Sequence, residues 1–211
     1  MTTYPISLPS SSTTQPKSTN FRIVRQIGES TSIFTGAQQV YKHIGEWWEV
    51  EVSLPPMNNA GAREWIASLV SLRGVFGQMY LGDWDGRTAR GTASSSAGTP
   101  LVNGASQTGN ALVIDGATAS QTGYLKAGDY IQLGSGISQR LHMVTADANT
   151  DGSGNATLSI EPALRSSPAN DLAITVASCK GVFRLSSNET SWNANAISTY
   201  GITFAVKEYL L

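Results

Sequence analysis

Between Leu101 and Ser178 the chain runs through LVNGA, ALVIDGA, DYIQLGSG, QRLHMVTADA, NATLSIEPAL and LAITVAS, short apolar stretches parted by turn residues. Turn signals recurring every ~8 to 12 residues are the signature of a small all-β barrel or sandwich, and no other pattern in the chain narrows the fold so far. Within this region DANTDGSGN (Asp147–Asn155) poses a choice between a calcium loop and a hairpin turn. Asp147, Asn149, Asp151 and Gly152 suit the first, third, fifth and sixth positions of a helix-flanked calcium loop, but the twelfth, which needs a bidentate glutamate, is Leu158. Leu141 with Met143 and Leu158 with Ile160 alternate as strands where that motif needs helices. A hairpin turn is the first reading and weak calcium binding the alternative.

The flanks of this region have a different grain. Residues 1–20 combine three prolines with a Ser/Thr run and read as an extended N-terminal arm, ordered only by a partner. FRIVRQIGE alternates at Phe21 and Ile23 and then shifts; in EWWEVEVS, Trp48, Val50 and Val52 share one strand face and Trp47, Glu49 and Glu51 the other. This predicts a half-buried strand with an acidic outer face, ended by Pro55 and Pro56. Asn58 or Asn59 offers a helix cap, and Ala62, Ile66, Leu69, Val70 and Arg73 follow at helical spacing, predicting one α-helix over 60–73 stopped by Gly74. GVFGQMYLGDW (Gly74–Trp84) reads as a strand, DGRTARGTASSSAGTP (Asp85–Pro100) as a boundary or long loop, and Ile202, Phe204 and Val206 mark a last strand. The expected organisation is mainly β: a β-sandwich host domain with one helix, formed by 21–87 plus 179–211, carrying an inserted small β-barrel domain, 88–178, whose two ends lie close together.

Composition excludes whole classes of partner. Of 211 residues only 14 % are charged, with a formal net charge of −1, so nothing drives association with phosphate backbones or anionic lipid. No specificity for nucleic acid and no membrane insertion are expected, because no stretch approaches the ~20 apolar residues that span a bilayer. No Sec-type export signal opens the chain. The single cysteine, Cys179, precludes an internal disulfide, and the sequons at Asn155 and Asn188 carry little meaning without a secretory route.

Catalytic chemistry is thin. The two histidines, His43 and His142, fall in different expected domains, and no nucleophile elbow, phosphate loop or dinucleotide fingerprint is present. Asp83 and Asp85 bracketing Trp84 form the most enzyme-like cluster, although aspartate at the mouth of a glycine-rich loop is more simply a turn former. Trp47, Trp48, Trp65, Trp84 and Trp192 could line a carbohydrate groove or, more commonly, serve packing and assembly. No catalytic, cofactor or metal residue is assigned, no cofactor is expected, and an enzyme is not expected.

The succession FTGAQQV, EWWEVEVSLPPM, AREWIASLVSLRGVFGQMYLGDWD, YLKAGDYIQLGSG, QRLHMVTADANTDGSGNATLSIEPALR, KGVFRLSSNETSW and YGITFAVKEYL resembles tail proteins of long-tailed phages, most specifically the siphophage distal tail protein (Dit) family. The resemblance implies a structural virion protein at the phage tail tip, assembled in the host cytoplasm. It implies a homo-hexameric ring built by the β-sandwich domain, an outward inserted domain that is OB-fold-like or galectin-like, and a hub joining the tail tube to the baseplate or tip complex. Tail tube, tape measure and tail-tip hub or fibre proteins are the implied partners. A carbohydrate-binding, receptor-recognising module is one alternative, predicting an exposed aromatic on the inserted domain. A tail tube or tube-terminator ring is another, predicting one continuous domain and a long hairpin.

Overall fold

A computed structural model describes residues 3–9, 15–194 and 199–210. The strands are β1 (Ile6–Ser7), β2 (Ser18–Thr31), β3 (Gln38–Ser53), β4 (Met79–Leu81), β5 (Leu101–Val102), β6 (Gly109–Asp115), β7 (Tyr130–Leu133), β8 (Arg140–Val144), β9 (Ala156–Leu164), β10 (Ile174–Thr175), β11 (Gly181–Leu185), β12 (Asn193–Ala194), β13 (Tyr200–Gly201) and β14 (Thr203–Glu208), with one α-helix, α1 (Asn59–Ser71). They form a six-stranded sheet in the order β1-β4-β11-β14-β3-β2, a second of β10-β7-β8-β9-β6-β5, and a small β12-β13 pair. The mainly β fold with one helix is thus the one predicted.

One face of the first sheet is apolar because Trp48, Val50 and Val52 alternate along β3 and meet Phe204 and Val206 of β14 in register. α1 covers one end of this face, where Trp65 stacks against Phe204 with centroids 6.0 Å apart. The opposite face carries the exposed Glu51 and the Arg22–Glu49 ion pair. Asn58 caps α1 by accepting the Gly61 N–H at 3.2 Å, as expected of a short polar side chain there. The stop differs from expectation: Arg73 already takes the left-handed conformation (φ 54°) and Gly74 follows at φ 68°. A Cβ at Gly74 would lie 2.7 Å from Asn188 Oδ1, so position 74 needs glycine for two reasons.

Two further expectations are corrected. Gly74–Trp84 is not one strand: Gly74–Phe76 form a 3₁₀ turn and only Met79–Leu81 pair. Nor do the described residues before Asn20 form a free arm. Ile6 and Ser7 pair in parallel with Met79 and Tyr80, Leu8 is buried, the Tyr4 hydroxyl donates to Ser71 C=O, and Ser18–Asn20 already belong to β2. Prolines excluded helix from this segment but not edge pairing.

The second sheet curls into a nearly closed barrel. Its end strands, β5 and β10, are joined by a Leu101–Ala173 bridge, by Val102 N–H to Leu172 C=O at 3.0 Å and by Ile174 N–H to Pro100 C=O at 2.9 Å. Leu112, Ile114, Ile131, Leu158 and Ile160 fill it. The Ala/Ser/Gly-rich segment leading in is ordered by Asp129, whose carboxylate accepts the N–H groups of Arg90 (2.9 Å), Gly91 (3.3 Å) and Lys126 (2.8 Å). Where the chain passes between sheets it does so twice, side by side: Thr88 bridges Ala177, and Ser178 N–H donates to Arg87 C=O at 2.6 Å.

Barrel and first sheet share a buried contact. Tyr130 and Leu141 of the barrel belong to the same apolar cluster as Trp48 and Val50, and Trp48 Nε1 donates to Leu141 C=O at 3.0 Å. Beside it lies an ionic knot. Arg165 holds Glu208 through two bonds of 2.9 and 2.8 Å and donates to Glu46 C=O, while Glu46 accepts the Ala163 N–H and faces Arg25 at 3.3 Å. Glu46 and Glu208 are both buried, where a carboxylate without such partners is costly.

Candidate functional site

The most unusual feature is what β2 and β3 do beyond the body. Thirteen residue pairs join them, from Ser18–Ser53 out to Thr31–Gln38, with a register shift between Arg25 and Ile27. The five pairs past that shift carry the ladder about 17 Å farther at ~3.4 Å per residue. Ser32 closes the end: its N–H donates to Ala37 C=O at 2.8 Å, its carbonyl accepts from Gly36, and its hydroxyl faces the Phe34 and Thr35 N–H groups. Gly36 supplies the left-handed turn residue at φ 70°.

This arm is clothed in apolar side chains that touch little. Ile33 (90 % exposed), Phe34 (92 %) and Ile44 (96 %) stand in solvent, joined by Ile27, Val40 and Tyr41. Val40 and Ile44 share the parity of the buried Glu46, Trp48 and Val50, so the core face of β3 continues outward with nothing opposite it. Several large apolar side chains exposed together on one projecting arm single it out as a candidate interaction surface. The sequence reading missed the arm because Gly28, Ser30, His43 and Gly45 interrupt the alternation.

The other candidates resolve structurally. Asp83 Oδ1 accepts the Asp85 N–H at 3.0 Å in a local turn. Its carboxylate also takes the Tyr130 hydroxyl, whose pKa is pushed up to about 12, by burial first and by the Asp83 charge second. Trp84, between them, packs partly buried on the core. In Asp147–Asn155 the three ligand-type side chains point to different tasks. Asp147 caps Ala127 N–H (2.9 Å), Asn149 caps Gly123 N–H (2.7 Å), and Asp151 accepts Ser153 and Asn155 N–H (2.8 Å each), which holds its carboxyl below the usual range. Among the described residues no His, Cys, Asp and Glu cluster could hold a metal ion.

His43 lies on the exposed arm and His142 is buried in β8, so the structure does not bring the two together. Cys179 is buried and its thiol pushed up to about 12, chiefly by desolvation. Among the tryptophans Trp48 and Trp65 are core, Trp47 donates to Glu49 at 3.1 Å, and Trp192 is half exposed on the first-sheet side of the chain. The aromatic residues between 88 and 178 are Tyr124 and Tyr130, both buried. The barrel therefore offers no aromatic platform for a sugar. Among the described residues no helix is long and apolar enough to cross a membrane.

No protein-family model matches this chain, and no curated protein matches it at a significant level.

Proposed function

We propose that this chain is a structural, non-enzymatic virion protein that forms a homo-hexameric ring at the distal end of a phage tail. In this reading the first sheet with α1, residues 21–87 and 179–211, is the ring-forming domain, and the barrel, 88–178, is an insertion projecting from it. The ring joins the tail tube, with the tape measure protein inside it, to the tip hub or fibre proteins. The observation that carries this reading is the β2–β3 arm: six large apolar side chains on a projection that the described residues leave uncovered call for a neighbour. A cyclic assembly provides one by a head-to-tail contact repeated until it closes.

The arm also favours a second reading, a tail-tube or tube-terminator ring, for which a long hairpin is expected; the separate barrel fits that reading less well. Light scattering over a dilution series with negative-stain images separates the two. The expected result is a closed six-fold ring with six times the 22.3 kDa chain mass that does not stack, whereas open-ended tubes support the runner-up. The double variant Ile33→Ser, Phe34→Ser is expected to remain monomeric, and a wild-type-like ring from it would remove the arm from the argument.

A further inference from the structure

A cavity of about 200 Å³ opens on the barrel wall beside the ionic knot, room for roughly six or seven water-sized groups. Three nitrogen-bearing side chains line it, Arg140, His142 and Arg165, against an aliphatic wall of Leu133, Leu164 and Leu172; no carboxylate does. The two guanidinium groups differ in what they have left to give. Arg165 is spent on Glu208 and on Glu46 C=O. Arg140 uses only Nη1, donating to the carbonyls of Ile137 and Gln139 at 3.3 and 3.2 Å. None of the ion pairs among the described residues includes it. Burial lowers its pKa and the Arg165 charge adds to that, only partly offset by Glu208.

A partly buried guanidinium with no ion pair among the described residues suits a planar oxyanion, which its fork can hold through two parallel N–H bonds. His142 adds a second constraint. Nδ1 lies 2.7 Å from Pro162 C=O, and burial keeps the ring neutral. Because a carbonyl only accepts, the ring proton sits on Nδ1 and Nε2 is left as an acceptor. A site with a donor fork, a neutral acceptor and an aliphatic wall asks for a carboxylate, a hydroxyl and a short carbon chain.

We propose that the cavity bounded by Arg140, His142 and Leu164 binds a small hydroxy-carboxylate, its carboxylate on Arg140 and its hydroxyl donating to His142 Nε2. The proposal concerns each chain by itself, so its failure leaves the ring reading intact, and failure of the ring leaves the cavity.

The experiment is an NMR titration of the full chain with L- and D-lactate, lactamide, propionate and inorganic phosphate, following the Arg140 Nε–H resonance. The expected result is a saturable shift with at least one lactate enantiomer, none with lactamide, and several-fold weaker binding of propionate. Arg140→Gln is expected to abolish the shift of neighbouring Ser166 while far-UV circular dichroism stays unchanged. Should that variant unfold, Arg140→Lys, which keeps charge but loses the fork, is expected to bind at least tenfold more weakly. Equal response to lactamide, a shift linear in ligand concentration, undiminished binding by both variants, or tighter binding of phosphate than of lactate would each overturn the assignment.

Discussion

The inner and outer halves of β3 obey the same pattern and meet opposite fates. From Glu46 to Val52 every second residue is buried; from Val40 to Ile44 residues of that same parity are exposed. Both halves pair with β2, so hydrogen bonding does not distinguish them. What differs is the layer opposite: α1 and the barrel wall cover the inner half, and among the described residues no third element covers the outer one. Alternation along a strand selects a face, but burial is a property of two layers. At roughly 25 cal/mol per Å² of apolar area, the uncovered half forgoes in the single chain the stabilisation that the inner half gains.

Three sets of variants bear on that contrast. Trp48→Ala in the inner half has the largest expected effect, about 3–5 kcal/mol, because a large buried ring is lost and the Leu141 carbonyl loses its donor. Chemical denaturation measures it, and a loss below about 1 kcal/mol would break the contrast by showing that the two layers barely cooperate. Arg165→Met comes next, at about 3 kcal/mol, since it strands the buried carboxylate of Glu208. Adding Glu208→Met is expected to restore most of that loss, because an apolar pair does not suffer the desolvation of an ionic one; failure of the double variant to recover would mean that the knot holds barrel and sheet together by more than charge pairing. Ile33→Ser with Phe34→Ser is expected to change the stability of the isolated chain by less than about 0.5 kcal/mol, with thermal unfolding as the measure. A larger loss would show that the arm is already covered within one chain.

Much of the inner half was legible in the sequence and most of the outer half was not. The helix was placed within two residues, with Asn58 or Asn59 as its cap, and Trp48, Val50 and Val52 were assigned to one strand face. These signals are local: a cap, a 3.6-residue period, a two-residue period. The register shift after Arg25 hid the continuity of β2, which the sequence shows only as an alternation that slips after Ile23. Glu46, Arg165 and Glu208 meet from positions 43 and 119 residues apart, and no periodicity carries information over such spans. Arg140 and His142 were likewise visible only as members of a strand, since which side chains line a shared cavity is a fact of three dimensions. Proline-rich composition in the first twenty residues suggested freedom, yet the β1 pairs, the buried Leu8 and the start of β2 at Ser18–Asn20 tie its described residues down.

The paired crossings at the base of the barrel have a mechanical meaning. A pull applied to the two ends of the first sheet reaches Arg87 and Ser178, which are already clasped by a 2.6 Å hydrogen bond beside the Thr88–Ala177 bridge. Tension passes across that clasp and not around the barrel. Under such a pull the long β2 and β3 and the shorter β14 and β11 are loaded in shear, while the loop of chain that builds the barrel is bypassed until the clasp parts.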